Sequence, residues 1–547
     1  MIRRLANQKT KNQSGFDYTV GLLELLTPFG NIKKKEMEPF YKGMEEALSE
    51  ELNKVQLFKE SMTVKEEYFA DFFEIMAHMK DCTGSIERAE KDVLSVVELF
   101  EIKSLVIAME KLRIGTDGFK ATFSKDFPAC YRLKPVSDLL KILDPRNENM
   151  ETFYIYDEFS EKLKALREKK REAERDLRRQ KREKAEALRK EGIDLNPGFE
   201  LTVSKQNSQE MEKLSKRDEL FRKEEDYTCV VFSVKTDERM EELLSNIERI
   251  HMEIEEEEER VRESLSLEIS LRKETLLSNV ERIGNFDLVL AKAGLAVKKN
   301  LVRPDIVNSH KVKISKGRHL EVEEYLSKKG REFHPVDLDL KTGVTCITGA
   351  NMGGKTVSLK LACLTCLLTQ YGLFVPAQKA ELGLCSYIQL LAGDTQSPER
   401  GLSSFGGEME ELREALDALK DYSFLLIDEV ASGTNPQEGR AISKGLISYL
   451  AEKKVISLIT THFDTVTDVK GVKNLQVTGL ENADFDELKR KLRYANRKER
   501  IDLVASYMDY SLKEQKDKKN VPREAIKIAE TLGIYPEIID RAKGFLE

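Results

Sequence analysis

The stretch "GVTCITGANMGGKTVSLKLACLTCLL", residues 343–368, decides the fold of this chain. An apolar strand, a glycine-rich turn and an apolar helix follow one another, and the turn reads Gly349-x-x-x-x-Gly354-Lys355-Thr356. Glycines in such a turn let backbone N–H groups face phosphate oxygens, and the start of the helix adds a favourable dipole. Lys355 would neutralise the outer phosphates, and the Thr356 hydroxyl would ligate Mg²⁺. The stretch therefore predicts a nucleotide-binding loop in an α/β domain.

Two further apolar strands end in residues suited to phosphate chemistry. "FLLIDEV", residues 424–430, ends in Asp428, placed to hold Mg²⁺ through water, and Glu429, a candidate general base. Acids also occur at the solvent end of ordinary buried strands, and the phosphate-binding loop upstream is what favours catalysis here. "VISLITTHF", residues 455–463, ends in His462, a candidate sensor of the terminal phosphate.

The segment "ERGLSSFGGEMEELREAL", residues 399–416, places Ser403 and Ser404 in a glycine-flanked turn before a helix. Serine and glycine also make ordinary turns and caps. The position of this turn between the two strands nevertheless favours an ABC-type signature that meets ATP across a dimer interface. Cys363-x-x-Cys366 lies within the apolar helix, without a second ligand pair nearby, so core packing is favoured over a metal site.

Length and composition indicate a multidomain protein without a membrane span. The chain has 547 residues, of which 34% are charged and 40% apolar, so we expect two to four domains. No apolar run is long enough to cross a bilayer, and the polar N-terminus lacks the apolar region of a signal peptide. The seven cysteines, an odd number scattered over a long chain, do not suggest a disulfide framework. A reducing compartment is the simplest interpretation, so we expect a cytoplasmic location. The net charge of -7 gives no overall sign of nucleic-acid binding.

Two long charged segments predict a protruding arm. Residues 161–191 hold 14 Lys/Arg and 8 Asp/Glu, whereas residues 237–260 hold 11 acidic and 3 basic residues. Ile247, Ile250, Ile254, Val261 and Leu265 mark an apolar seam of roughly heptad spacing in the second segment. We interpret the two as an antiparallel coiled coil with a small tip between them. The basic segment either pairs with the acidic one, which the matching signs favour, or forms a DNA-binding stripe.

The motifs resemble those of the MutS family of ATPases. "TGANMGGKT" is similar to that family's Walker A loop, "YGLFVPAQKAELG" to its Q-loop segment, and "LSSFGGEMEEL" to its signature loop. "IDEVASGTNPQEG" and "TTHF" resemble its Walker B and H-loop. Within the family the ATPase motifs lean toward the branch that carries a C-terminal Smr nuclease. The resemblance is specific over residues 284–547 and architectural upstream.

The resemblance implies roles for further residues. It places Gln378 at the Q-loop position, Phe333 where an aromatic ring stacks on adenine, and Ser403 where a serine acts in trans on the nucleotide of a partner subunit. It implies a homodimer or a heterodimer with a related subunit, and two composite sites for ATP and Mg²⁺, with Thr356 and Asp428 on the metal. The expected nucleotide contacts also include the whole loop, namely Gly349, Ala350, Asn351, Met352, Gly353, Gly354, Lys355, Thr356 and Val357.

The expected architecture is multidomain, with a mainly α lever core, a coiled-coil arm and an ABC-type α/β P-loop domain. The boundaries follow the composition: a helical core over 1–156, an arm over 157–283 with a tip at about 193–235, a connector over 284–316, the ATPase domain over 317–490, and a helical dimerisation segment over 491–547. Neither the mismatch-reading domain nor the Smr domain of the family is expected in this chain.

Two classes of function fit these features. The first is an ATP-gated clamp that holds DNA in mismatch repair or recombination. The second is an ATP-driven protein-remodelling factor, such as a reactivase for an adenosylcobalamin-dependent aminomutase, whose arms would hold a protein client. A third, a structural coiled-coil protein with a degenerate nucleotide site, conflicts with intact Lys355, Asp428, Glu429 and His462.

Overall fold

The computed structural model describes most of the chain as two compact units. It covers residues 4–147, 154–349, 354–393, 404–431, 434–463, 468–480, 483–492, 500, 503–504, 506–515, 524–531 and 533–545. One unit joins the residues up to Glu74 to those from Ile283 onward, and the other comprises Ile75–Arg282. We call them the sheet unit and the helical unit. The chain is thus a multidomain protein of mixed α/β structure.

The helices and strands of the described residues are numbered in chain order. The helices are α1 Gln8–Gln13, α2 Phe16–Gly21, α3 Pro28–Lys35, α4 Glu45–Val64, α5 Glu67–Ala77, α6 Thr83–Arg88, α7 Val96–Asp117, α8 Phe119–Phe123, α9 Ser137–Leu143, α10 Glu161–Lys190, α11 Ser208–Ser215, α12 Glu238–Leu271, α13 Lys273–Lys298, α14 Leu320–Ser327, α15 Lys355–Gln370, α16 Ser404–Asp417, α17 Pro436–Ala451, α18 Phe485–Leu492, α19 Glu524–Thr531 and α20 Pro536–Gly544. The strands are β1 Glu200–Ser204, β2 Leu220–Glu225, β3 Cys229–Val234, β4 Asp305–Ile306, β5 Lys311–Gly317, β6 Val336–Lys341, β7 Gly343–Thr348, β8 Lys379–Leu382, β9 Tyr387–Leu391, β10 Ser423–Asp428, β11 Ile456–Thr460, β12 Lys473–Gly479 and β13 Asp509–Glu514.

A six-stranded sheet of order β13-β12-β7-β11-β10-β9 organises the sheet unit. Neighbouring strands from β12 to β9 are parallel, and β13 adds an antiparallel edge. Strands β10 and β11 are almost continuously apolar and buried, as expected where helices cover both faces of a parallel sheet. Their register pairs Asp428 with Thr460, so the residues at their carboxyl ends lie side by side. A second sheet, of order β4-β8-β5-β6, also belongs to this unit.

In the helical unit, α10 and α12 lie against each other and run antiparallel. Lys162 at the start of α10 pairs with Glu257 at 3.0 Å, whereas Lys184 near its end pairs with Asp237, the N-cap of α12, at 2.8 Å. The seam of α12 faces inward, since Ile250, Ile254, Val261 and Leu265 are buried and Ile247 is half-buried.

Pairing with the acidic helix neutralises only part of α10. Besides the two pairs above, Arg167 reaches Glu258 at 2.7 Å. Arg171, Arg175, Arg178 and Arg182 are exposed, and the spacing of four, three and four residues puts them on one face of the helix. The structure describes no ion pair for Arg175, Arg178 or Arg182, and Arg171 meets Asp157 only at 3.7 Å. We call these four arginines the α10 basic stripe.

Between α10 and α12 the chain forms a small sheet of order β1-β3-β2 with α11 packed beside it. The stretches "FELTV" and "YTCVVFSV" that read as strands form β1 and β3. Val230, Phe232 and Leu214 are the most buried members of a core that also includes Leu188 from the end of α10. The tip therefore has a hydrophobic core of its own.

Two features differ from the boundaries expected from the sequence. Residues 4–74 group with the sheet unit rather than with a helical core reaching residue 156, because backbone bonds such as Ile388 N–H to Leu5 O (2.7 Å) and Phe40 N–H to Gln370 O (2.6 Å) attach them to it. The segment from residue 491 is not purely helical, because β13 pairs with β12 and extends the six-stranded sheet. The expected final helices are α19 and α20, separated by Gly533 at φ 90°.

All seven cysteines are among the described residues, and none of them forms a disulfide. Five are buried: Cys82, Cys346, Cys363, Cys366 and Cys385. Within the described part of the chain, no helix combines the length and apolar character needed to cross a membrane. In the same residues, no group of three or more His, Cys, Asp or Glu side chains is arranged to hold a metal ion.

Candidate functional site

The phosphate-binding loop starts and ends at glycines that no other residue replaces easily. Gly349, directly after β7, has φ 129°, and Gly354 at the start of α15 has φ 76°. Both values lie where side chains are strongly disfavoured. A Cβ on Gly354 would also lie 3.0 Å from the ring of Tyr510, and one on Gly349 3.2 Å from Cβ of Val477. The four predicted contacts between them, residues 350–353, lie outside the described residues.

Lys355 is held inside the loop rather than extended into solvent. Its side chain is 5% exposed, and its ammonium group donates to the Gly349 carbonyl at 2.8 Å. Glu429 Oε1 lies 3.5 Å from the same nitrogen. A buried ammonium needs such oxygen partners, and the phosphate oxygens of a nucleotide are stronger ones. The position of Lys355 therefore fits the phosphate-binding role predicted for it.

The ends of β10 and β11 and the start of α15 meet around the Asp428 carboxylate. The Thr356 hydroxyl, at the start of α15, donates to Asp428 Oδ2 at 2.7 Å, and the Thr460 hydroxyl, at the end of β11, donates to Oδ1 at 2.5 Å. A hydroxyl beside a carboxylate is the hard oxygen donor set that Mg²⁺ prefers. Thr356 and Asp428 thus fit the Mg²⁺ site that we predicted for them from the sequence. Thr460 orients the carboxylate of Asp428.

Glu429 lies in an unusual backbone conformation between two candidate catalytic groups. Its φ is 53°, and its backbone N–H donates to the Thr460 hydroxyl at 3.1 Å. A positive φ at a residue other than glycine costs free energy and is commonly found at functional sites. One carboxylate oxygen faces Lys355, and the other lies 3.9 Å from Nδ1 of His462. The half-exposed carboxylate is open to water, as a general base for hydrolysis must be.

A cavity of ≈ 800 Å³ adjoins these groups. Lys355, Thr356, Asp428 and Glu429 supply polar groups to its wall. Apolar or aromatic side chains supply another part of the wall, namely Val322, Leu326, Phe333, His334, Val336, Val357 and Tyr510. Small-molecule sites commonly have this size and combine apolar surface with a few polar groups. A nucleotide has the same two kinds of surface, a flat base and charged phosphates.

The aromatic part of that wall comes from two distant segments. The rings of His334 and Tyr510 stack with centroids 5.3 Å apart and an interplanar angle of 25°. Burial raises the pKa of the Tyr510 phenol, while the nearby Arg331 opposes the shift. Phe333, predicted to stack on adenine, lines the same cavity. These rings are suited to bind the flat face of a base.

The structure brings most, but not all, of the predicted site residues together. Gly354, Lys355, Thr356, Val357, Phe333, Asp428 and Glu429 line one cavity, and His462 faces Glu429. Gln378 does not line the cavity: its side chain is exposed, and its backbone N–H donates to Ser315 O at the edge of the second sheet. Ser403 lies outside the described residues.

Sequence reasoning missed Tyr510, Thr460 and Glu408. Tyr510 follows a charged region that reads as a linker, so nothing local placed it in a strand. Thr460 directly precedes the pair Thr461-His462 and could have been found, because the ends of parallel strands meet at one edge of a sheet. Glu408 of α16 accepts from the backbone N–H of Ala431 at 2.6 Å and so ties that helix to the segment after β10.

Comparison with known proteins agrees with this geometry. Residues 345–547 match the family model described as MutS domain V. The match begins on β7 and reaches the end of the chain, so it includes the phosphate-binding loop, the carboxylates and β13. Residues 345–547 are therefore similar to domain V of the MutS family.

Individual relatives share about 30% identity with the chain. Endonuclease MutS2 of Ruminiclostridium cellulolyticum is 31% identical over 305 residues, which are 55% of this chain and 35% of that protein. Endonuclease MutS2 of Thermus thermophilus is 31% identical over 315 residues, 56% of this chain and 37% of the relative. The DNA mismatch repair protein MutS of Persephonella marina is 30% identical over 258 residues, 43% and 29% of the two chains. The matched region spans about a third of the length of these curated relatives.

Proposed function

We propose that this protein binds and hydrolyses ATP and uses the reaction to operate a DNA-binding clamp. The observation that carries the proposal is the convergence of Lys355, Thr356, Asp428 and Glu429 on one cavity whose wall also holds the rings of Phe333, His334 and Tyr510. Lys355 would bind the outer phosphates, Thr356 and Asp428 would hold Mg²⁺, and Glu429 would accept a proton from the attacking water. His462, beside Glu429, would contact the terminal phosphate. Mg²⁺, when bound, neutralises charge that develops on the phosphates.

Nucleotide binding by the Lys355→Ala variant tests the first half of the proposal. The variant loses the one cation held within the loop, so we expect ATP affinity and turnover to fall by about a hundredfold or more. A fluorescent ATP analogue measures affinity, and phosphate release measures turnover. Lys311→Ala is a matched control, because Lys311 pairs with Glu381 at 2.6 Å in the second sheet and does not line the cavity. Unchanged turnover in Lys355→Ala would refute the site.

The site is proposed to be completed by a partner subunit. The resemblance to the family assigns Ser403 to the nucleotide of the partner. Each dimer, of two identical or two related subunits, would then hold two composite sites. If Ser403→Ala and Lys355→Ala homodimers are both inactive, a heterodimer of the two should recover one working site. No recovery would argue for sites formed within one subunit.

The α10 basic stripe favours DNA as the cargo of the helical unit. We propose that α10 and α12 form the arm of the clamp, with the tip built on β1–β3. Four exposed arginines span 12 residues, or about 17 Å of helix. DNA presents a phosphate charge about every 1.7 Å along its axis, so a stripe of this length can meet several phosphates. The names of the relatives, an endonuclease and a DNA mismatch repair protein, point to the same partner.

The protein-client alternative has less support from the arm. Complete pairing of the basic helix with the acidic one would leave no exposed basic surface and would favour this alternative. The acidic helix pairs with Lys162, Arg167 and Lys184, but the stripe lies outside those pairs. An exposed row of arginines is better suited to phosphates than to a client of unspecified charge.

Salt dependence of DNA binding tests the cargo. Each phosphate contact contributes about 0.9 to the slope of log affinity against log salt concentration, so replacing the four stripe arginines by glutamine should lower the slope by about 3.6. Replacing the same residues by lysine keeps the charge and should retain most of the slope. Duplex and branched DNA are both used as ligands. Absence of DNA binding at low salt, or an equal slope in all three proteins, would remove the proposed cargo.

A further inference from the structure

We propose that Glu408 is a positioning residue that holds Glu429, the base of the proposed hydrolysis, in the conformation that catalysis requires. The inference rests on the proposed function and goes beyond it, because Glu408 lies on α16 and is not among the described residues that line the cavity. It contacts the chain two residues after the base. We call the three residues Glu429, Val430 and Ala431 the base turn.

The base turn has an unfavourable backbone conformation at both of its ends. Glu429 has φ 53° and Ala431 has φ 57°, and neither residue is a glycine. The left-handed region costs free energy for a residue that carries a side chain, and such a conformation persists only where surrounding contacts impose it. The position of the Glu429 carboxylate therefore depends on the contacts that hold the turn.

Strand β11 and helix α17 hold the first part of the base turn. The Glu429 N–H donates to the Thr460 hydroxyl of β11 at 3.1 Å. The Ser443 hydroxyl of α17 donates to the Val430 carbonyl at 3.2 Å. Thr460 and Ser443 are both buried, and hydrogen bonds shielded from water are electrostatically stronger than exposed ones.

Glu408 holds the last residue of the base turn. Its Oε1 accepts from the Ala431 N–H at 2.6 Å, a short distance that is typical of a charged acceptor. On the carbonyl side of Ala431, α17 packs so closely that a Cβ on Gly439 would lie 2.6 Å from the oxygen. Ala431 itself is fully buried. It is therefore fixed between a carboxylate of α16 and the backbone of α17.

Loss of the Glu408 bond should impair the base rather than the nucleotide site. Ala431 could then leave its positive-φ conformation, and the carboxylate two residues earlier would move relative to the attacking water. Lys355 and Thr356 have separate contacts and would still bind the phosphates and Mg²⁺. We therefore expect a lower kcat with little change in KM.

Substitutions of Glu408 separate the reach of its side chain from its charge. Glu408→Met removes the acceptor oxygens at similar length, and Glu408→Asp keeps the charge but shortens the side chain by one methylene. Each should lower kcat about tenfold, at a KM within about twofold of wild type. Glu408→Gln keeps an acceptor oxygen at the same reach and should bring kcat to within about threefold of wild type.

Glu410→Met is the matched control on the same helix. Glu410 is exposed and pairs with Arg413 of α16, so its replacement removes a carboxylate without affecting the base turn. Its kcat and KM should equal those of the wild type.

A double-mutant cycle with Glu429→Gln distinguishes positioning of the base from a merely structural role. If Glu408 acts through the base, Glu408→Met should change single-turnover hydrolysis by less than about twofold once Glu429→Gln is present. Thermal unfolding is measured on all four proteins of the cycle. A contribution to fold stability would lower Tm equally in both backgrounds, whereas the effect on turnover should disappear in one of them.

The contrary outcomes are distinct from those of the proposed function. Unchanged kcat in Glu408→Met and Glu408→Asp, a raised KM at constant kcat, or a tenfold loss that persists beside Glu429→Gln would overturn the inference. If Glu408→Met does not fold, equal kcat in Glu408→Asp and Glu408→Gln would overturn it, and a loss confined to Glu408→Asp would support it. Parent-rate hydrolysis by Glu429→Gln alone would instead overturn the base of the proposed function, and this inference with it.

Discussion

The hydroxyl of Thr356 donates a hydrogen bond of 2.7 Å to Oδ2 of Asp428, although 72 residues separate the two along the chain. The bond joins the helix after β7 to the end of β10, and β11 lies between these strands in the sheet. Thr460, at the end of β11, binds the other oxygen of the same carboxylate. The Asp428 carboxylate is thus oriented from both sides, and its position depends on the register of all three strands.

Asp428→Asn should uncouple nucleotide binding from Mg²⁺. The amide is nearly isosteric and can still accept from Thr356, but it lacks the negative charge that a divalent cation requires. We expect ATP binding to lose its Mg²⁺ dependence and turnover to fall by about a hundredfold or more. A magnesium titration of ATP affinity checks this. A variant with wild-type Mg²⁺ dependence would place the metal elsewhere.

Glu429→Gln should separate binding from hydrolysis. The amide cannot accept a proton from water, yet it keeps the size of the side chain and its polar contact near Lys355. We expect ATP affinity within about threefold of wild type and turnover reduced by about a hundredfold or more. Single-turnover hydrolysis beside equilibrium binding measures both. Hydrolysis at the parent rate would show that another residue is the base.

Tyr510 provides a test of the aromatic part of the cavity wall. Its ring stacks on His334 and covers Gly354, so Tyr510→Ala removes part of the aromatic wall. We expect ATP affinity to fall about tenfold, because an aromatic contact is worth about 1–1.5 kcal/mol. Tyr510→Phe keeps the ring and should bind nearly as wild type. Equal losses in both variants would point to the phenol hydroxyl rather than the ring.

The site could be predicted where its residues follow short apolar strands, and could not where they come from distant segments. Lys355, Asp428 and His462 each end a local pattern that reads the same in the sequence and in the structure. Tyr510 is not part of such a local pattern. It lies in β13, an antiparallel edge strand that follows a charged stretch and is defined by its pairing with β12 rather than by its own composition. Residues 4–74 likewise join the sheet unit through long-range hydrogen bonds. The amphipathic periodicity of a helix does not show which distant segment the helix contacts.

Thiol reactivity should report the packing of the chain. Cys130 is exposed, Cys229 is half-buried, and the other five are buried. Burial raises the pKa of Cys82 and of Cys346 to about 12. The neighbouring Cys366 thiol and the His310 ring lower the pKa of Cys385, but a reagent must also reach the sulfur. We expect a thiol reagent to label one cysteine rapidly and one slowly in the native protein, and all seven after denaturation.

Substitution of Cys130 identifies the rapid phase. Cys130→Ser should abolish it, and Cys346→Ser should leave it unchanged. Rapid labelling of more than two thiols in the native protein would contradict the burial described for the other five cysteines.

His319 should make the sheet unit less stable in mild acid. Burial and the positive charge of Lys360 lower its pKa from 6.5 to about 4. The hydrogen bonds also favour the neutral ring, because Nε2 must donate to Ser14 O while Nδ1 accepts from the Val322 N–H. The unfolded chain binds a proton as the pH falls below 6.5, whereas the folded chain binds it only near pH 4. Stability is therefore fully present above 6.5 and is lost as the pH falls toward 4, by about 2 kcal/mol between pH 7 and pH 5.

His319→Asn isolates this contribution from the other groups that titrate in the same range. Asparagine is a good N-cap for α14 but carries no titratable ring. The loss of Tm between about pH 7 and pH 5 should be smaller in the variant than in the wild type, by about 2–4 °C for a folded unit of this size. His251→Asn, which alters an exposed histidine on α12, is the matched control and should reproduce the wild-type loss. Equal losses in all three proteins would mean that His319 is already protonated, or is not buried, near neutral pH. The His319 ring would then not attach α1 to α14.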